Sequence, residues 1–444
     1  MTAAPPLPTD ASRYYDAEAE TRPRPAIEAR QWELLQEQIA AAYGRAPLYR
    51  DLWREAGVAP DDLQSLDDYR RAVPFVSKDL VRERRAETGD PFGGLLTCPI
   101  EDLTAIHSTS GTTGDPTLVG ETWGGGGRDG QARGVPVLTR DFWELGVRPG
   151  DCVALMLFTY RGPIYLFPGI LGATAMVFDH EPGDVAKLLT WSREHRPTLL
   201  YNLSLVTFLA IEEAAAAGVD VADAFASYHA VIWAGEPIGP RAAARARDLG
   251  IPLYFQSSAG DVGAATECRA RVGGHVWEDY GFYEVVDPDT GRAVPDGEVG
   301  ELVATNLTPT PMPLLRHRSD DLVRATTERC ACGRTHQRIT PLGRRGDAVR
   351  VDGRTILPID VWGAIEAVDE TRAGLFQVIR PAPEADRLRL RVGFAGTTAP
   401  ATLRARVAAS VAAAVGVEPE VELVPNAELL RLGPPHKIPR VSPR

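Results

Sequence analysis

A chain of 444 residues with a formal net charge of -12 is longer than one hydrophobic core usually grows, so at least two packed units are expected. The acidic balance argues against a nucleic-acid-binding surface, whose phosphate affinity comes from clustered Lys and Arg, and no run of about 18 apolar residues offers a membrane span. Five cysteines are too few and too unevenly spaced for a disulfide framework.

Residues 1–25 hold no basic region followed by an apolar stretch. They read as a disordered, Pro-rich leader, and a cytoplasmic location is the default that follows. Over residues 27–58 apolar positions recur at helical spacing, punctuated by Gly44 and Pro47, which predicts a helical N-terminal region. The sharpest local signal comes next, in Ser108, Thr109, Ser110, Gly111, Thr112, Thr113 and Gly114. Glycines let backbone N–H groups approach phosphate oxygens while hydroxyls donate around them. No Gly-Lys-Ser/Thr ending follows, so this is not the P-loop of NTPases, and a Ser/Thr-rich surface turn is the competing reading. Gly124 to Gly127 carry too little side chain to fix a backbone and read as a mobile loop.

From residue 151 to 256 the apolar runs VALMLF, TAMVFD, TLLYNL, HAVIWAG and PLYFQ alternate with helical stretches, the pattern of a parallel sheet covered by helices. Ligands in such sheets sit at strand ends. There, Gly235, Glu236 and Pro237 follow HAVIW, and Tyr201, Asn202 and Trp233, with Phe158 and Tyr160, are candidates to line a small-molecule pocket. Core packing is the competing reading of those aromatics. After a turn-rich stretch, EVGELVATNL reads as a strand of a β-rich, more antiparallel layer. Cys268, His275, Cys330 and Cys332 supply three thiolates and an imidazole, a set suited to tetrahedral, structural Zn²⁺, with ordinary buried thiols as the alternative. The expected division is an α/β domain over 26–342 and a small α+β domain over 343–444, the latter ordered helix, strand pair, helix, strand.

STSGTTGDPT resembles the SSGTTGKPT phosphate loop of adenylate-forming enzymes, with Asp115 in place of the loop's Lys. The other motifs follow in that family's order. Gly235-Glu236-Pro237 resembles the element along the adenine, and Ser257 to Asp261 occupies the place of Tyr-Gly-x-Ser/Thr-Glu, with Asp261 as the carboxylate for Mg²⁺. Leu315 to Leu322 looks like RYRTRDL, which assigns the ribose-binding carboxylate to Asp321. Gly343-Arg344-Arg345-Gly346-Asp347 resembles a GRSDD hinge, with Arg344 on ribose or phosphate oxygens and Gly346 replacing the first hinge Asp. Finally, the segment from Gly433 to Val441 looks like the GKxxRV loop that brings Lys437 to the reacting carboxylate. ATECRARVGGHVWED and CACGRTHQRI are similar to segments of the phenylacetate-CoA ligase branch, some members of which hold a metal there.

The resemblance covers roughly residues 34–440 and implies a large adenylating domain of parallel sheets plus a β-rich layer, and a small C-terminal domain that swings between half-reactions. It implies ATP, Mg²⁺ and CoA, a small aromatic acid as substrate, and a homodimer. The departures at Asp115, Ser257 and Gly346 leave open an amine, a carrier protein or nitrite in place of the usual acceptor or acid, or a non-catalytic nucleotide-binding relative.

Overall fold

The computed structural model describes residues 13–108, 118–122, 137–157, 164–433 and 437–443. The apolar runs of the middle of the chain become the strands Cys152–Leu157, Thr174–Asp179, Leu199–Leu203, Ala230–Ala234 and Leu253–Ala259. They pair in parallel, with Thr174–Asp179 at the edge beside Cys152–Leu157 and the others following in chain order. Strands buried on both faces read as unbroken apolar runs. Val153, Leu155, Tyr201 and Ile232 pack on one face, while Ala154, Met156, Leu200, Val231 and Trp233 pack on the other. The edge strand instead alternates, burying Met176 and Phe178 and exposing Val177.

At Leu253–Ala259 the sheet changes direction. A turn over residues 259–262 puts Gly260 at φ 63° and Asp261 at φ 61°, the two positive values that a type I′ turn requires, and the chain returns antiparallel as Gly263–Glu267. A Cβ on Gly260 would meet the Ala304 side chain at 2.5 Å. The antiparallel strands Gly274–His275, Arg338–Arg344, His317–Thr326, Val299–Asn306 and Gly281–Val286 then extend the same sheet. The expected β-rich layer therefore exists, and it is hydrogen-bonded to the parallel half because Gly263–Glu267 pairs on both sides.

Beyond Arg344 the chain builds a second sheet in the order Pro419–Pro425, Leu388–Phe394, Phe376–Ile379, Val441–Ser442. Helices Pro358–Glu366 and Pro400–Val415 pack against each other and onto this sheet. The sequence pattern predicted all of these but the last strand. Val441–Ser442 runs parallel to Phe376–Ile379 and ties the segment carrying Lys437 to the small sheet.

The disordered-leader expectation fails for residues 13–25. The short helix Ala17–Glu20 buries Glu20 completely, and its carboxylate lies 2.6 Å from the buried Arg334 guanidinium. Tyr14 Oη donates to the Cys332 carbonyl, Thr335 Oγ1 to that of Arg22, and the His336 ring is 3.0 Å from that of Ala19. Long-range charge pairing orders this strap despite its prolines. The expected helical region follows as Arg24–Arg45 and Pro47–Glu55.

Candidate active site

The hydroxyl-rich run joins two short strands, Ala105–Ser108 and Leu118–Glu121, which pair antiparallel with Ser108 opposite Leu118. Ser108 is half-buried. Thr109, Ser110, Gly111, Thr112, Thr113 and Gly114 lie outside the described residues, as do Asp115, Gly124 to Gly127, Phe158 and Tyr160.

Asp261 projects from the turn where the sheet reverses. Its Oδ2 is 2.8 Å from Lys78 Nζ and 3.7 Å from His317 Nε2. Burial pushes this carboxyl up, but His317 and Lys78 together hold it well below the usual carboxylate range. Lys78 begins the helix Lys78–Thr88 behind the capping hydroxyl of Ser77, and Val76–Ser77 pairs in parallel with His317 and Arg318. That pairing sets the Lys78–His317–Asp261 constellation, and Lys78 was missed in the sequence. A signal existed: a cation in the first helical turn faces the positive end of the helix dipole, so it needs an acidic partner from elsewhere. Both ring nitrogens of buried His317, and Oγ of Ser257, lack a hydrogen-bond partner among the described residues.

Asp321 and Arg344 face each other across neighbouring strands, with Oδ1 and Nε 3.4 Å apart. Burial is the main influence on Asp321 and pushes its carboxyl to about 6; Arg344 opposes this, and the Asp261 charge adds to it. Asp320, at φ 67°, turns the other way and accepts from the Gly346 N–H at 3.1 Å. The first hinge Asp of the resemblance is thus replaced by a glycine whose amide binds an aspartate.

Gly235 takes φ 92° directly after Ala230–Ala234. Glu236, buried, does not point along a ligand surface: its Oε2 accepts from Arg440 at 2.9 Å, and its backbone carbonyl accepts from the Trp233 indole at 2.9 Å. Trp233 is 1% exposed and stacks edge-on with Phe208 in the helix-facing core. It lies on the opposite sheet face from Tyr201, which packs on Phe142. Trp233 is therefore a core residue and not a pocket wall, because the pleat sends alternate side chains to opposite faces. Asn202, at φ 72°, donates to the Met156 carbonyl at 2.9 Å and lies 3.2 Å from the His180 ring, a polar cluster at the strand ends.

Lys437 acts electrostatically on both Glu236 and Asp347. A Cβ on Gly433 would collide with the Lys437 carbonyl. Gln377 donates to the Pro439 carbonyl at 2.9 Å.

Away from these groups, Cys268, His275, Cys330 and Cys332 converge, with all four ligand atoms within 4.8 Å of one another and all four residues buried. The Cys268 and Cys330 sulfurs are 3.7 Å apart, and Cys332 Sγ is 3.4 Å from His275 Nε2. Sulfurs about 2.3 Å from a tetrahedral Zn²⁺ stand about 3.8 Å apart. His275 Nδ1 is 3.0 Å from the His336 carbonyl, an arrangement that leaves Nε2 as the ligand.

A mixed sheet with acidic, basic and glycine-turn residues gathered at its reversal, and a small α+β unit whose lysine acts on Glu236 and Asp347, together make the architecture of an adenylate-forming ligase. The structure superposes on 2-hydroxyisobutyryl-CoA ligase in the postadenylation state with a TM-score of 0.82 at 28% identity, covering 98% of this chain and 93% of that one. Against the same ligase with 2-HIB-AMP and CoA in the thioesterification state the TM-score is 0.67. No family model matches the chain. The phenylacetate-coenzyme A ligase of Thermus thermophilus is 34% identical over 389 residues, 85% of this chain and 84% of that protein; that of Aromatoleum evansii is 32% identical over 353 residues, 76% and 74%. The chain belongs to the phenylacetate-CoA ligase family and is an AMP-forming acid–CoA ligase.

Proposed function

We propose that this ligase activates a small aromatic acid, phenylacetate or a close analogue, as its adenylate and passes the acyl group to CoA. The observation that carries the reading is the gathering of Lys78, Asp261, Asp321 and Arg344 on one edge of the large sheet, with Arg344 and Lys437 both acting on Asp347, in a chain whose curated relatives are named for phenylacetate.

In this reading an oxygen of the acid attacks the α-phosphorus of ATP in line, and Lys437 stabilises the negative charge that spreads as pyrophosphate leaves. Asp321 accepts from both ribose hydroxyls, a task for an ionised carboxylate with its acceptor lone pairs, and Arg344 holds it in place. Lys78 supplies the cation that the phosphate loop lacks at Asp115. Asp261, kept ionised by its neighbours and offering a hard oxygen, fits Mg²⁺, which neutralises phosphate charge when bound. The His317 Nδ1 and the Ser257 hydroxyl, without hydrogen-bond partners among the described residues, suit a polar ligand on this edge. Residues Ser108 to Gly114 surround the phosphates, Gly235 to Pro237 run beside the adenine through their backbone, and Tyr201 and Asn202 border the acid, with Phe158 and Tyr160 as further candidates.

The units divide near residue 343, so that the C-terminal part changes orientation between the two half-reactions. The cysteine–histidine cluster holds one structural Zn²⁺, supported by its spacing and burial. Elemental analysis of the purified protein giving about one zinc per chain is the expected outcome, and metal-free protein of unchanged stability is the result against it.

The experiment that tests the function is acid-dependent ATP–pyrophosphate exchange over aryl and aliphatic acids, followed by CoA thioester formation. Exchange with phenylacetate-like acids, lost by a factor of about 100 or more in Lys437→Ala with ATP affinity retained, is expected. Exchange with aliphatic acids alone, or undiminished in the variant, would overturn the reading.

A further inference from the structure

Arg440 lies three positions beyond Lys437 and is held on one side by the small unit. Its guanidinium sits 3.8 Å from the ring centre of Trp362 and 4.8 Å from that of Phe376. It donates to the Gly374 carbonyl at 2.7 Å, and its own carbonyl accepts from Val378. Its remaining bonds cross to the large sheet: Nη2 and Nε approach Glu236 Oε2 at 2.9 and 3.2 Å. Glu236 is fixed in turn by the Trp233 indole on its carbonyl. A second contact stands beside the first, where Glu366 Oε2 accepts from the Arg241 N–H at 2.7 Å. Gly239 lies so close to that carboxylate that a Cβ would collide with it.

We propose that the Glu236–Arg440 pair is a positioning clasp, which holds the small unit in the orientation that presents Lys437 for adenylate formation and opens before thioester formation. The inference rests on the ligase reading above. Three observations support it. The two side chains are only 5% and 8% exposed, so deleting one strands the other as a buried charge. Rotation of the small unit, by contrast, returns both to water and recovers their hydration, which makes the pair openable. Glu236 Oε1 also has no hydrogen-bond partner among the described residues, and a pair built for stability alone would satisfy both oxygens. Finally, this orientation superposes better on the postadenylation ligase, TM-score 0.82, than on the thioesterification form at 0.67.

The test uses the full-length protein with Arg440→Met, which keeps an apolar side chain over Trp362, and with Arg440→Lys, which keeps the charge. Pyrophosphate exchange with phenylacetate is compared with single-turnover reaction of preformed phenylacetyl-adenylate with CoA. Arg440→Met is expected to slow exchange about tenfold or more at saturating ATP and acid while the thioester step stays within about twofold, and Arg440→Lys to regain most of the exchange rate. Equal losses in both half-reactions, or exchange at the wild-type rate, would overturn the clasp. Amide hydrogen exchange over residues 236–241 and 374–378 reads the contact without substrate, and should accelerate in Arg440→Met; unchanged protection counts against the clasp. A wild type that is silent with every acid removes the functional reading instead, and the amide measurement still decides whether the pair holds the units together.

Discussion

Asp321 is ringed by groups that disagree about its charge. Burial pushes its carboxyl to about 6, with Arg344 opposing and Asp261 adding to the rise. A folded value above the ordinary 3.8 means that the folded state prefers the protonated form. The corresponding stability is present below about pH 4 and lost as pH rises through about 6. Asp321→Asn, neutral at every pH, should therefore raise the thermal midpoint near pH 8, with the gain disappearing toward about pH 4. The same variant should weaken ATP binding about tenfold or more, because hydrogen bonds to a charged acceptor are the strong ones. Thermal melts across that range with calorimetric ATP titration test both halves; a lower midpoint at pH 8 or unaltered affinity would refute the assignment. Sequence reasoning singled out Asp321 and Asp261 as candidates because each sits in a run with a recognisable order. It passed over Lys78, whose role comes from a two-residue parallel pairing, Val76 with His317 and Ser77 with Arg318. No local pattern encodes that contact. Trp233 failed in the opposite direction, since its place beside the strand end was legible but the sheet face it points to was not.

Among the elements, the strap over residues 13–25 is the one whose energetics were hidden. Its composition says little, yet the Glu20 carboxylate, the Arg334 guanidinium and Glu144 form a buried line: Arg334 lies 2.6 Å from Glu20 and 2.7 Å from Glu144. Arg334 belongs to the segment that carries Cys330 and Cys332, so the strap lies directly over the proposed metal site. Glu20→Ala leaves Arg334 with one carboxylate instead of two in a dry site, and should cost about 3 kcal/mol. Urea titration checks this, and a loss under about 0.5 kcal/mol would place the pair with ordinary surface bridges. The sequence separation of 314 between the partners explains why nothing near Glu20 announced the contact. The parallel strands were legible for the converse reason. Burial on both faces writes itself into the inner runs as stretches dominated by aliphatic and aromatic residues, with no distant partner needed. Continuity with the antiparallel half was not, because it depends on the Gly260–Asp261 turn and on the register of Gly263–Glu267.

At the scale of the whole molecule, the proposed cycle has the mutual orientation of the two units decide which half-reaction the site performs. The same motifs serve both orientations, so the sequence order that revealed the family carries no information about which one is populated. In the structure the helix-facing core runs from Phe208 and Trp233 into Trp362, Val361 and Phe376 of the small unit. Charges bridge the same contact through Glu236–Arg440. A contact that combines apolar packing with a few polar bonds is the one that the proposed rotation would have to open. A hydrolysis-resistant analogue of phenylacetyl-adenylate has no negative charge left to develop at the α-phosphorus, so it gives Lys437 little reason to stay, and CoA adds a ligand that favours the rotated form. With the analogue alone, small-angle scattering should still match the profile calculated from this structure; adding CoA should move it away, as a population shift driven by a ligand with unequal affinity for two orientations. Identical profiles with and without CoA would mean that one orientation serves both steps, and the Glu236–Arg440 contact would then be part of a fixed interface.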